Sequence, residues 1–266
     1  MRNRMLFGIA LVALVGLAGC NGLLGGSGQS ASDGGPAVGP DNATAMMDAH
    51  QAALEDAGRF HYVRNSTLTP LDGGQLRNYA NVSATVDLGS GAYRNHQSVS
   101  LQPQVDVYAT GNGSAYARLA VGNGSRFAEL GPESVNATRY ARPPIASFVR
   151  AMNFTDEGTS TVDGRTVHTY SVDGADQLDP AVGNLTGVAP ENASAVSGCL
   201  RLADGGVVRS FDYHVTGDSS RGQRIRYDLS IRYSEVGAAQ VSPPSWLPAA
   251  RQSTAARGNA TASGGA

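Results

Sequence analysis

The stretch Ile225-Arg226-Tyr227-Asp228-Leu229-Ser230-Ile231-Arg232-Tyr233 puts an apolar or aromatic side chain at every second position, with a charged or hydroxyl residue between. Period two sustained over that length is a β-strand with one face buried and the other in water. Phe211, Tyr213 and Val215 repeat the pattern, as do Ala80, Val82, Ala84, Val86 and Leu88. Parts of Phe60 to Thr69, Tyr93 to Leu101, Val105 to Thr110, Ala115 to Val121 and Val167 to Val172 follow it too. Asp163-Gly164 and Asp204-Gly205 stand between such runs as tight hairpin turns, which makes successive strands antiparallel neighbours. Arg221, Arg224, Arg226 and Arg232 fall opposite the apolar positions and mark the solvent face.

Upstream of the strands, Met46, Met47, His50, Ala53, Leu54 and Ala57 recur at helical spacing, with Asp41 or Asn42 to cap the start and Gly58 to end it. Pro143-Pro144 leads into Ile145, Phe148, Val149 and Met152, again at helical spacing. From Ala175 to Val196 helical stretches are broken by Pro180 and Pro190. The fold class expected is α+β: a curved antiparallel sheet, a half-barrel, with an N-terminal helix and a helical insert packed on one face.

The chain opens with Arg2 and Arg4 and an apolar run from Met5 to Leu17, too short for a comfortable membrane span and right for a signal peptide. Leu17-Ala18-Gly19-Cys20 ends it with small residues before a thiol, the nucleophile that accepts a lipid as a thioether. The expected organisation is a lipoprotein signal peptide at 1–19 and a flexible tether at 20–41. A single domain at 42–249 and a disordered tail at 250–266 complete it. Lipidation at Cys20 leaves Cys199 without a partner, so Cys199 is expected as a buried, inert thiol.

Ten asparagines stand in Asn-x-Ser/Thr: Asn42, Asn65, Asn81, Asn112, Asn123, Asn136, Asn153, Asn184, Asn192 and Asn259. That density points to N-glycosylation outside the cell. Every basic side chain apart from histidine is arginine, and the formal charge is only −2. So small a charge argues against electrostatic capture of nucleic acid.

Chemistry is sparse. His50, His61, His96, His168 and His214 never pair with one another or with a cysteine at metal-ligand spacing. The chain has no Gly-x-Ser-x-Gly elbow, phosphate loop or His-Glu-x-x-His helix, so the expectation is a non-enzyme with no cofactor and no metal.

The helix running into Gly58-Arg59-Phe60-His61-Tyr62, the Val162-Asp163-Gly164-Arg165-Thr166-Val167-His168-Thr169-Tyr170 hairpin and the Gly205-Gly206-Val207-Val208-Arg209 strand entry, together with the Cys20 signal, resemble haloarchaeal lipoproteins of unknown function. More distantly they resemble the LolA, LppX and LprG lipoprotein-carrier fold. That resemblance implies an apolar cavity behind the sheet, lined by Met46, Met47, Leu54, Val82, Val86, Phe211, Tyr213, Tyr227, Leu229 and Ile231. The expected function is a lipid-anchored protein on the outer face of the cell membrane that binds or carries an apolar, lipid-like ligand. The alternative is a glycosylated cell-envelope protein with a solid core and no ligand. The partners expected are membrane lipid through the anchor and the apolar ligand, with no nucleic acid and with envelope partners unspecified. Periodicity alone does not separate a lined cavity from a filled core.

Overall fold

A computed structural model describes residues 38–73, 78–132, 135–142, 145–162 and 164–262. Cys20 and the expected signal peptide lie outside these residues. The alternating segments form eleven strands: β1 Arg59–Pro70, β2 Asn78–Asp87, β3 Ala92–Val99, β4 Val105–Thr110, β5 Ala115–Val121, β6 Gly124–Leu130, β7 Thr155–Val162, β8 Arg165–Val172, β9 Val188–Ala203, β10 Val208–Ser219 and β11 Arg224–Ser234. They make one sheet in the order β6-β5-β4-β3-β2-β1-β11-β10-β9-β8-β7, with every neighbouring pair antiparallel. Two meanders therefore run outward from the central β1–β11 pair.

Among the described residues four α-helices accompany the sheet: α1 Ala43–Ala57, α2 Ala146–Arg150, α3 Val182–Thr186 and α4 Leu247–Ala262. The protein is strand-dominated rather than α+β, which corrects the expected class. One local reading caused the difference. Pro190 does not break a helix; it lies in β9, in a part of that strand that β8 does not reach and where the β10 pairing shifts register. Proline is tolerated there because its missing N–H has no ladder partner to lose. Separately, residues 250–262, read as part of a disordered tail, belong to α4.

The start of α1 is capped by Asn42, whose side chain accepts from the Ala45 N–H, and Gly58 closes it at φ 72° with its N–H on the Leu54 carbonyl. Met46, Met47, His50 and Leu54 on its buried face lie against Phe60, Tyr62, Val86, Phe211, Ile231 and Tyr233 in one contiguous apolar core. His50 adds a polar pin: its Nδ1 accepts from the Val208 N–H at 3.1 Å. Tyr233 donates to the Tyr140 carbonyl at 2.7 Å and packs against His50, Phe60 and Tyr62.

The opposite, outer face carries a smaller cluster. Trp246, Leu247 and Ala250 at the start of α4 close over Tyr108, with Tyr116 and Phe127 beside them. The edge strand β7 is exposed along its length and carries a register shift between Asp156 and Thr159. Polar composition and a bulge keep such an edge from recruiting another strand.

Candidate functional site

Register places every inner-face residue. Phe60, Tyr62, Arg64, Ser66 and Leu68 of β1 alternate inward, opposite Tyr233, Ile231, Leu229 and Tyr227 of β11 and Val86, Ala84, Val82 and Ala80 of β2. The helices cover this face unevenly. Under α1, α2 and the 3-10 turn Ala137–Tyr140, the side chains of Phe60, Tyr62, Val86, Tyr93, Phe211 and Ile231 are closed from solvent. Further along the same strands Arg64, Leu68, Val82, Val105, Leu119 and Tyr227 are only half-buried. With Gln97 of β3 lying between Val82 and Val105, these six form an open, largely apolar strip that includes a cation.

The strip begins at Phe148 of α2, which stacks on Tyr227 with ring centroids 6.4 Å apart and planes 4° from parallel. Phe148 also meets Tyr213, 5.7 Å away, whose buried hydroxyl has no hydrogen-bond partner among the described residues. On the β9–β11 side α3 closes the face, and Val182, Val188, Val215 and Ile225 there are buried. The strip is therefore bounded on two sides and open along β1–β5.

Of the ten residues expected to line a cavity, eight (Met46, Met47, Leu54, Val86, Phe211, Tyr213, Leu229 and Ile231) are buried in the core. Val82 and Tyr227 lie in the open strip. Arg64 was missed, although its signal was legible: period two from Phe60 through Tyr62 to Leu68 puts Arg64 on the same face. A charged residue on a strand is ordinarily expected on the solvent face, and Arg64 departs from that.

Arg64 takes part in none of the ion pairs or side-chain hydrogen bonds of the described residues, and its Nε is buried without a partner. Its charge is felt by two neighbours. Burial pushes the Tyr62 hydroxyl up to about 12 and raises Tyr227 as well, and in each case the Arg64 guanidinium pulls the other way.

The outer face holds a different feature, a hollow of about 240 Å³ lined in part by Asn65, Asp212, His214 and Asp228. His214 Nδ1 lies 2.8 Å from Asp228, and its Nε2 lies 3.2 Å from the Thr216 hydroxyl. The order carboxylate, imidazole, hydroxyl is that of a hydrolytic triad. Here, however, His214 and Asp228 are directly paired across β10 and β11, in strands whose backbone lies in the β10–β11 and β9–β10 ladders. Asp106 sits between His96 at 2.8 Å and Arg118 at 2.5 Å, and their bonds and charges hold its carboxyl below the usual range against the opposing effect of burial. Both clusters are cross-strand ties. His61 spans Thr85 and Ser83, and His168 faces Asp204.

Among the described residues no group of three His, Cys, Asp or Glu is placed to hold a metal, and no helix is long and apolar enough to cross a membrane. Cys199 is not the free thiol expected: it is buried and disulfide-bonded. Asn42, Asn65, Asn81, Asn112, Asn123, Asn136, Asn153, Asn184 and Asn192 are all exposed, whereas Asn95, which is outside any sequon, is fully buried. The side chain of Asn259 lies outside those described.

A family of unknown function, DUF7537, has a model that matches residues 5–250. No curated protein matches the sequence. Among solved structures, a DUF1329 family protein from Desulfovibrio piger is 9% identical, with a TM-score of 0.26 over 77% of this chain and 95% of that one. A LolA superfamily protein from Nitrosomonas europaea is 9% identical, with a TM-score of 0.22 over 75% and 94%. A beta-barrel-like DUF1849 protein from Brucella abortus is 12% identical, with a TM-score of 0.21 over 66% and 98%. At TM-scores this low the likeness assigns no function.

Proposed function

We propose that this chain, which belongs to the family of unknown function DUF7537, is a lipid-anchored exterior protein that holds an apolar ligand along the open strip of its sheet. The observation that carries the reading is the contrast within single strands: Phe60 and Tyr62 are closed by helices, whereas Leu68 on the same face is not. Apolar side chains continuing past their cover leave surface that a hydrocarbon chain can bury, at about 0.8 kcal/mol per methylene withdrawn from water.

A neutral apolar dye, N-phenyl-1-naphthylamine, tests this in the mature protein. Its fluorescence should rise on binding and fall when Leu68→Glu places a charge in the strip. A dye that stays dark with the wild-type protein, or that is indifferent to Leu68→Glu, refutes the reading.

The anchor rests on the Cys20 signal and the glycan coat on the exposed sequons. The intact mass of the mature protein tests the anchor: a lipid mass on Cys20 supports it, and an unmodified Cys20 refutes it.

A further inference from the structure

The open strip is largely apolar, with the amide of Gln97 between Val82 and Val105, and it carries a cation. On strands β2, β4, β10 and β11 the acidic side chains Asp87, Asp106, Asp212, Asp218 and Asp228 all fall at outer-face register positions. Four of them are engaged there: Asp87 with Arg59, Asp106 with His96 and Arg118, Asp212 with Arg232, and Asp228 with Arg226 and His214. Arg64 points the other way, between Val82 on β2 and Ile231 on β11. Among the described residues no acid pairs with it, and its Nε is withdrawn from water without an acceptor.

An arginine exposed to solvent needs no counter-ion. A guanidinium half-sunk in an apolar face is different, because the charge loses hydration without gaining a partner. Native proteins keep such orphaned donors rare, and one that persists calls for a group that completes it. A guanidinium fork matches two oxygens of one carboxylate or phosphate, and the attraction strengthens in the low dielectric of an apolar surround. Leu68, Val82, Val105 and Leu119 lie within the same strip and offer only hydrocarbon.

We infer that the ligand of the open strip is an anionic amphiphile, whose carboxylate or phosphate head is received by Arg64 while its chain lies over Leu68, Val82, Val105 and Leu119. This rests on the strip being the binding surface, and it goes beyond that reading by naming the head-group chemistry. Lipid phosphates and free fatty acids share that chemistry.

Calorimetric titration of the mature protein with decyl phosphate, decanoate and decanol, three ligands of equal chain length, tests the inference. Wild-type protein should bind the two anions at least tenfold more tightly than decanol. Arg64→Gln should bring the anions down to the level of decanol and leave decanol unchanged, and Arg64→Lys should restore part of the preference. Unchanged circular dichroism and melting temperature establish that Arg64→Gln is folded. Decanoate and decyl phosphate binding alike means that charge alone is read, and preference for the phosphate assigns a phospholipid-type head; both outcomes support the inference. Equal binding of decanol and the anions, or an anion preference that survives in Arg64→Gln, overturns the role of Arg64 and leaves the strip intact as a binding surface. Failure of all three ligands to bind refutes the strip itself.

Discussion

Acid should loosen the attachment of α1 to the sheet, and His50 sets how much. Its ring is fully buried between α1 and the strands. Burial drives the imidazole down from 6.5 to about 3, and the neutral ring accepts from the Val208 N–H. The folded state thus binds its proton less readily than the unfolded chain. Below pH 6.5 the unfolded chain takes up a proton that the folded one refuses, so stability falls with pH and the loss saturates only near pH 3. Between pH 7 and pH 4.5 this one group removes about 2.5 kcal/mol. His50→Leu abolishes that dependence and leaves the Val208 N–H without an acceptor, at a cost of about 1–3 kcal/mol at any pH. Urea unfolding of both proteins at pH 7 and pH 4.5 measures the difference. The variant should be the weaker at pH 7, and the gap should close or reverse at pH 4.5. His61, His96, His168 and His214 are common to both proteins and cancel in the comparison. A gap that is the same at the two pH values refutes the reasoning.

Other perturbations follow from single contacts. Leu101 is held at φ 61° with its side chain 86% exposed, so Leu101→Gly relieves left-handed strain while sacrificing almost no packing. It should raise stability by about 0.5–1 kcal/mol in thermal or urea unfolding. Trp246 stacks on Phe127 at 6.2 Å and carries the Arg118 guanidinium 6.0 Å from its ring. Trp246→Ala should release α4, giving faster amide exchange over 247–255 while β9–β11 keep their protection; unchanged exchange in α4 argues against the anchor. Tyr233→Phe leaves the Tyr140 carbonyl without its donor and should cost about 1–2 kcal/mol in the same unfolding assay. Thr186 is buried with its hydroxyl on the Val182 and Val188 carbonyls, so a glycosyltransferase acting on the folded chain meets a closed sequon at Asn184. Peptide mapping of native protein should find Asn184 bare, and an occupied Asn184 shows that modification precedes folding there.

Alternation made the sheet legible because each strand has one wet and one dry face, and Ile225 to Tyr233 states that pattern without interruption. The start and end of α1 were equally plain, since Asn42 and Gly58 do chemically what a cap requires. Pro190 misled because proline is compatible with a helix boundary and with an unpaired length of strand, and only the neighbour decides. The segment after Ala250 misled because α4 is held by Trp246 and Leu247 against the outer face, a tertiary contact that composition does not encode. The candidate site fell between these cases. Period two puts Arg64 with Phe60 and Tyr62, yet where a helix stops covering a sheet depends on the helix placement, which periodicity does not carry. Val82 and Val86 are indistinguishable in sequence, but one lies in the strip and the other under the cover.

The most direct test of the open strip as a ligand surface is native mass spectrometry of the mature protein, purified from its own host without detergent and then extracted with organic solvent. One anionic amphiphile per chain is expected, lost on extraction and absent from Arg64→Gln purified in the same way. A chain that carries no extractable ligand, its mass fully explained by polypeptide, anchor and glycans, contradicts it.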